Sequence, residues 1–160
     1  MSVDPSLTSA TVRNFVSQRR LALAGASRSG KKFGNVILRE LKGRGYEVVP
    51  VHPEAGELEG LRCEKSLAAV AGRVDGLVVV TAPAEAARLV GEAADAGIRA
   101  VWLQQGAGSE EASRIARERG VALVSGHCLL MFLDGTGGIH RFHRGLWRLL
   151  GKLPRETAHA

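Results

Sequence analysis

The chain has 160 residues, is 45% hydrophobic and carries a formal net charge of +6. That length and apolar content give a single domain with a real core and exclude disorder as the overall state. No apolar run reaches the roughly 18 residues of a membrane helix, and two cysteines, Cys63 and Cys128, make neither a disulfide framework nor a four-ligand zinc site.

The charge is local. Residues 139–155 hold Arg141, Arg144, Arg148, Lys152 and Arg155 without an acid, and the other 17 basic residues face 16 acidic ones. Such a distribution argues against a face built for nucleic acid. The first residues lack a positive charge followed by an apolar block, so no secretory signal is read there and a cytoplasmic location is expected.

Along the chain, residues 5–19 are expected to form a leading helix between loose ends at 1–4 and 155–160. Short apolar runs follow at 21–26, 46–51, 77–81, 98–103 and 121–124. They are apolar on both faces, as strands buried in a parallel sheet are. Between them, Phe33, Ile37 and Leu41 fall at helical spacing. So do Ala86, Leu89, Val90, Ala93 and Ala94, and then Ala112, Ile115 and Ala116. Pro83 suits a helix start and Gly97 a helix end. Ser109 suits an N-cap, with Glu110 and Glu111 at the positive end of the helix dipole. Residues 61–71 fit a short strand or turn and a small helix. Five strands alternating with helices predict an α/β domain with a doubly wound parallel sheet of about five strands, spanning 1–160.

A strand that ends in Gly25 and leads into a helix near Phe33 places backbone N–H groups at the carboxyl edge of such a sheet, where phosphates bind. Lys31 and Lys32 add positive charge there, and Arg28 is close in sequence. The dinucleotide fingerprint G-x-G-x-x-G is matched only as Gly25-x-Ser27-x-x-Gly30. The second strand ends Val49-Pro50-Val51-His52-Pro53 with no acid before Glu54, although a nicotinamide cofactor's ribose expects one. Both departures disfavour an NAD(H) site, which stands as the alternative, a redox-sensing or dehydrogenase-like domain.

Several segments together resemble a known family. These are Gly25-Ala26-Ser27, Lys32-Phe33-Gly34, Gly45-Tyr46-x-Val48-x-Pro50-Val51-x-Pro53, Gly60 followed by Ser66-Leu67, Val74-Asp75, Val101-Trp102-x-Gln104-x-Gly106, Glu111-Ala112 and His127-Cys128. In this order they look like the small stand-alone CoA-binding proteins, similar to the CoA-binding domain of the succinyl-CoA synthetase alpha subunit. The resemblance runs from about residue 20 to 130. It implies a Rossmann-type fold with CoA or acyl-CoA across the strand ends. By position, Gly25, Ala26, Ser27 and Lys32, with Arg28, Lys31, Phe33 and Gly34 beside them, would hold phosphates. His52 and Pro53 would flank the adenosine. Thr81, Ala82 and Pro83 would face the pyrophosphate or the pantetheine arm. The family often has Arg where this chain has His127.

No nucleophile elbow, Walker loop or H-E-x-x-H motif is present, so binding without turnover is expected, with no catalytic residue and no metal. Adjacent residues on an extended chain point to opposite sides, which separates His127 from Cys128 and favours a buried, structural Cys128. In the tail, a helix would gather Ile139, Phe142, Leu146, Leu149, Leu150 and Leu153 opposite Arg141, Arg144, Arg148 and Lys152. Such a basic amphipathic extension suits docking on the domain, on a second copy or on another protein; a membrane-surface helix is the competing reading.

Overall fold

The structure, a computed structural model, describes residues 9–133. The tail expectation for 139–155 and the loose ends at 1–4 and 155–160 lie outside those residues.

Helix α1 (Ser9–Ser17) is followed by strand β1 (Arg20–Ala24), helix α2 (Phe33–Gly43) and strand β2 (Glu47–Val51). A small hairpin comes next, β3 (Glu57–Leu58) and β4 (Leu61–Arg62), then a 3-10 turn (Ala68–Val70). Strand β5 (Gly76–Val79), helix α3 (Pro83–Asp95), strand β6 (Ala100–Leu103), helix α4 (Glu110–Arg119) and strand β7 (Ala122–Val124) complete the alternation, and a 3-10 turn at Leu129–Met131 closes it.

All five long strands pair in parallel in the order β2-β1-β5-β6-β7. The five expected strands are all present, each ending within two residues of its apolar run. Gly25 and Ala26 lie beyond β1 rather than inside it. The central strands are buried on both faces while the edge strand β2 is only partly covered on one, and alternate residues divide between two cores. Ala22, Ala24, Leu77, Val79, Val101, Leu103 and Leu123 face the side of α3 and α4. Leu21, Leu23, Val78, Trp102 and Val124 face the side of α1 and α2. Trp102, fully buried, packs between Phe15 of α1 and Phe132 at centroid distances of 5.5 Å and donates its indole N–H to the His127 carbonyl at 3.0 Å. Truncating a buried tryptophan of this kind costs about 3–5 kcal/mol.

The caps follow the sequence. Pro83 opens α3, and Ser109 accepts the Ala112 N–H at 3.1 Å at the start of α4. Gly120 closes α4 in the left-handed region at φ 68°, where glycine carries no Cβ penalty.

Candidate functional site

With the five strands counted in chain order, the sheet order is 2-1-3-4-5. Its reversal of direction lies between β1 and β5, and ligands of open α/β sheets bind outside the strand ends at such a point. The structure opens a cleft of about 490 Å³ there, within the usual range for small-molecule sites.

Its floor is main chain. Gly25 sits at φ 118°, and a Cβ on it would stand 2.1 Å from the Val80 carbonyl oxygen at the end of β5. A Cβ on Gly34 would stand 2.3 Å from the Gly25 carbonyl oxygen. Close packing of helix on strand, the task of the last glycine in the dinucleotide fingerprint, therefore falls to Gly34 and not to Gly30. Gly30 only turns the chain, at φ 73°, with its N–H on the Ser27 carbonyl at 3.2 Å.

Neither α2 nor α3 is capped by its N-cap side chain. Lys32 precedes α2 and Ala82 precedes α3, and no side chain bonds either first turn. In α2 the Asn35 N–H turns back on the Lys32 carbonyl at 3.0 Å, and both helix starts carry the positive end of the helix dipole. Lys32 and Lys65 both line the cleft.

Gly25, Ala26, Lys32, His52, Pro53 and Thr81 all line the cleft. The other residues expected at the site are placed around it. Ser27 faces away, its backbone clasped by Asn35, which accepts the Ser27 N–H at 2.8 Å and donates to the Ser27 carbonyl at 2.9 Å. Arg28 pairs with Glu54 at 3.2 Å on the exposed surface. Lys31 is exposed. Phe33 packs against the α1/α2 core, Gly34 is buried under the loop, and Ala82 and Pro83 are exposed at the start of α3. None of these seven is among the residues that line the cleft.

His52 closes one end. Its Nδ1 accepts the N–H groups of Glu54 and Ala55 at 3.1 and 2.9 Å, which leaves Nε2 as the ring's donor. The backbone of His52 pairs with Glu64, N–H to carbonyl at 2.9 Å, and Glu64 donates back to Pro50 at 3.0 Å. This extra pairing carries the next residues, Lys65 and Ser66, to the cleft. Sequence reasoning missed both, because a two-residue hairpin carries no periodicity that would reveal the detour.

It also missed the α3 wall. Glu85, Arg88 and Glu92 line the cleft, with Arg88 clasped by both acids. The Arg88 guanidinium holds the Glu85 carboxyl below its ordinary range. Spacing of three and four residues was the available signal, but by itself it also fits an exposed helix face.

Cys128 is buried and its neighbour His127 exposed, as alternation required. Burial pushes the Cys128 thiol up, only partly opposed by the Gln104 amide and the N–H groups of Leu130 and Met131. A raised thiol is a poor nucleophile at neutral pH. Cys63 is raised as well, by burial and then by Glu57 and Glu64. Among the described residues no cluster of three or more His, Cys, Asp or Glu side chains forms a metal site, and no helix is long and apolar enough to cross a membrane.

The model of the CoA binding domain family matches residues 19–134. The chain belongs to that family. This CoA-binding-domain chain is 25% identical over 111 residues to the uncharacterized protein YneT of Bacillus subtilis, covering 69% of this chain and 82% of YneT. It is 27% identical over 126 residues to the alpha subunit of ADP-forming acetate–CoA ligase II of Pyrococcus furiosus. That match covers 72% of this chain but only 28% of the subunit. Among solved structures, a hypothetical protein of Pyrococcus horikoshii superposes with a TM-score of 0.75 at 26% identity. The superposition covers 82% of this chain and 94% of the other. The mostly parallel five-stranded sheet with flanking helices is the Rossmann-like α/β fold of these neighbours.

Proposed function

We propose that this protein binds CoA or an acyl-CoA in the cleft between β1 and β5, as a binding unit without turnover of its own. The observation that carries the reading is the coincidence of the family match with the cleft's construction. The main chain at Gly25 and Ala26, the Lys32 that precedes α2 and the cation Lys65 line one cleft. CoA brings a pyrophosphate and a 3′-phosphate, and charge-assisted bonds to phosphate are worth about 1.5–3 kcal/mol each. The end of β2 offers His52 and Pro53 in place of the acid a nicotinamide ribose expects, and Glu54 is engaged by Arg28. The raised thiol of Cys128 supports binding rather than chemistry. A cytoplasmic setting, where CoA is met, completes the reading.

Titration calorimetry with CoA, dephospho-CoA, NAD and NADH on one protein preparation tests it. The expected order is CoA first, dephospho-CoA weaker, and both weakened by salt. Tighter binding of NADH than of CoA overturns the reading in favour of a nicotinamide site.

A further inference from the structure

Asn35 is a buried polar residue in the first turns of α2, 1% exposed, and its amide is bonded on both sides. Besides clasping the Ser27 backbone, its Nδ2 donates to Oε1 of Glu59 at 3.0 Å. The same carboxylate oxygen accepts from Arg39 Nη1 at 2.9 Å. The Glu59 carbonyl accepts from Lys42 Nζ at 3.1 Å. Three residues of α2, spaced along one face, therefore converge on a single residue at the tip of the β3–β4 hairpin.

Glu59 reaches this position in an uncommon backbone conformation. Its φ is 51°, and among the described residues every other positive φ belongs to glycine. Glu59 and Gly60 form the two-residue loop of the hairpin and take positive φ together, 51° and 75°, as such a tight turn requires; a glutamate is an uncommon occupant of the first position. The Glu59 side chain is mostly withdrawn from water, 17% exposed, while its partner Arg39 is about half exposed.

We infer that Glu59 is a positioning residue: its carboxylate, through Asn35 and Arg39, fixes the 25–30 loop in the shape that presents backbone and Lys32 to an anionic ligand. Glu59 does not line the cleft and acts only through the residues it holds. The hairpin it belongs to is followed by Lys65 and Ser66, which also line the cleft. For the ligand's identity this inference rests on the CoA reading above. The shape of the loop does not.

The test uses Glu59→Gly and Glu59→Gln in the full chain, with two independent readouts. Glycine removes the carboxylate and relieves the left-handed backbone together, so the expected melting temperature stays within about 3 °C of the parent. Against that retained stability, amides of residues 26–30 should exchange at least tenfold faster, and CoA should bind at least tenfold more weakly by calorimetry. Glu59→Gln keeps an acceptor for Asn35 and loses the ion pair with Arg39, so it should fall between the two. Because Glu59 touches no phosphate, the salt dependence of the remaining CoA binding should match the parent, unlike that of a Lys32 variant. Unchanged exchange in the loop overturns the inference, whatever happens to affinity. So does parent-like CoA affinity in Glu59→Gly, or loss of stability in step with loss of binding. If the parent itself fails to bind CoA, the CoA reading falls while the exchange measurement still decides the role of Glu59.

Discussion

Helices α3 and α4 carry the same device, an arginine with a glutamate three residues before and another four residues after it. On α3 it is Glu85, Arg88 and Glu92, and on α4 it is Glu111, Arg114 and Glu118. In both, hydrogen bonding to the arginine depresses the first glutamate. The surroundings differ. The α4 set is exposed on the surface, and its helix start is closed by the Ser109 hydroxyl. The α3 set forms a wall of the cleft, and its helix start is left open at Ala82. A hollow also lies beside the start of α4, about 610 Å³, lined by Ser109, Glu110, Ser113 and Arg117 among others. It is larger than the cleft, yet the Ala112 N–H at its helix start is already taken by the Ser109 hydroxyl, and the acid Glu110 is part of its lining. Under the CoA reading, Lys32, Lys65 and the main chain at Gly25 single out the cleft, where volume alone would favour the hollow.

Substitutions at matched positions sharpen that contrast. Lys32→Ala should weaken CoA tenfold to a hundredfold, about 1.4–2.7 kcal/mol, whereas Arg117→Ala beside α4 should change it less than twofold. Lys31→Ala, away from the cleft, should stay near the parent, and calorimetry reads all three. Arg88→Met leaves Glu85 and Glu92 facing an anion, so CoA affinity should fall several-fold. Arg114→Met, the equivalent change on α4, should leave it unaltered. Ser109→Ala should remove about 1 kcal/mol of stability, a shift of a few degrees in thermal melting, with CoA affinity intact. Cys128→Ser should keep CoA affinity within about threefold. A Cys128–CoA mixed disulfide in non-reducing intact mass would contradict the buried-thiol reading.

The smallest effect is on pH. Glu64, Asp75, Glu85 and Glu111 all sit below their ordinary values because an arginine bonds each of them. A depressed carboxyl contributes stability that is fully present above about pH 4.5 and fades as pH falls through the lower folded value. These groups are largely solvated, so melts between pH 7 and 3 should show a modest decline from their part. A rise in melting temperature on acidification would contradict the pairing.

How far the sequence spoke depended on scale. Parallel strands buried on both faces are nearly continuous apolar runs, so five of them could be read without ambiguity, and Pro83, Ser109 and Gly97 marked helix ends for local reasons. The loop after β1 was legible because glycines and lysines at a strand end have a chemical meaning there. What stayed hidden was relational. Asn35 looks like a surface residue until the fold lays Ser27 and Glu59 against it. Lys65 and Ser66 reach the cleft only through the pairing of Glu64 with Pro50 and His52. The motifs of α3 and α4 are indistinguishable as strings, and only the sheet decides which of them borders a cavity.

The close approach of Gly25 to Val80 and of Gly34 to Gly25 has a consequence for how ligand choice can change. Where peptide groups themselves form the surface, a point mutation has no side chain there to exchange. If the proposed CoA reading holds, the anchoring of a phosphate is insulated from sequence drift so long as those two positions remain without a Cβ. On that reading, selectivity would rest with the side chains that line the cleft, His52, Lys65 and Arg88, where single substitutions retune the ligand without disturbing its anchor.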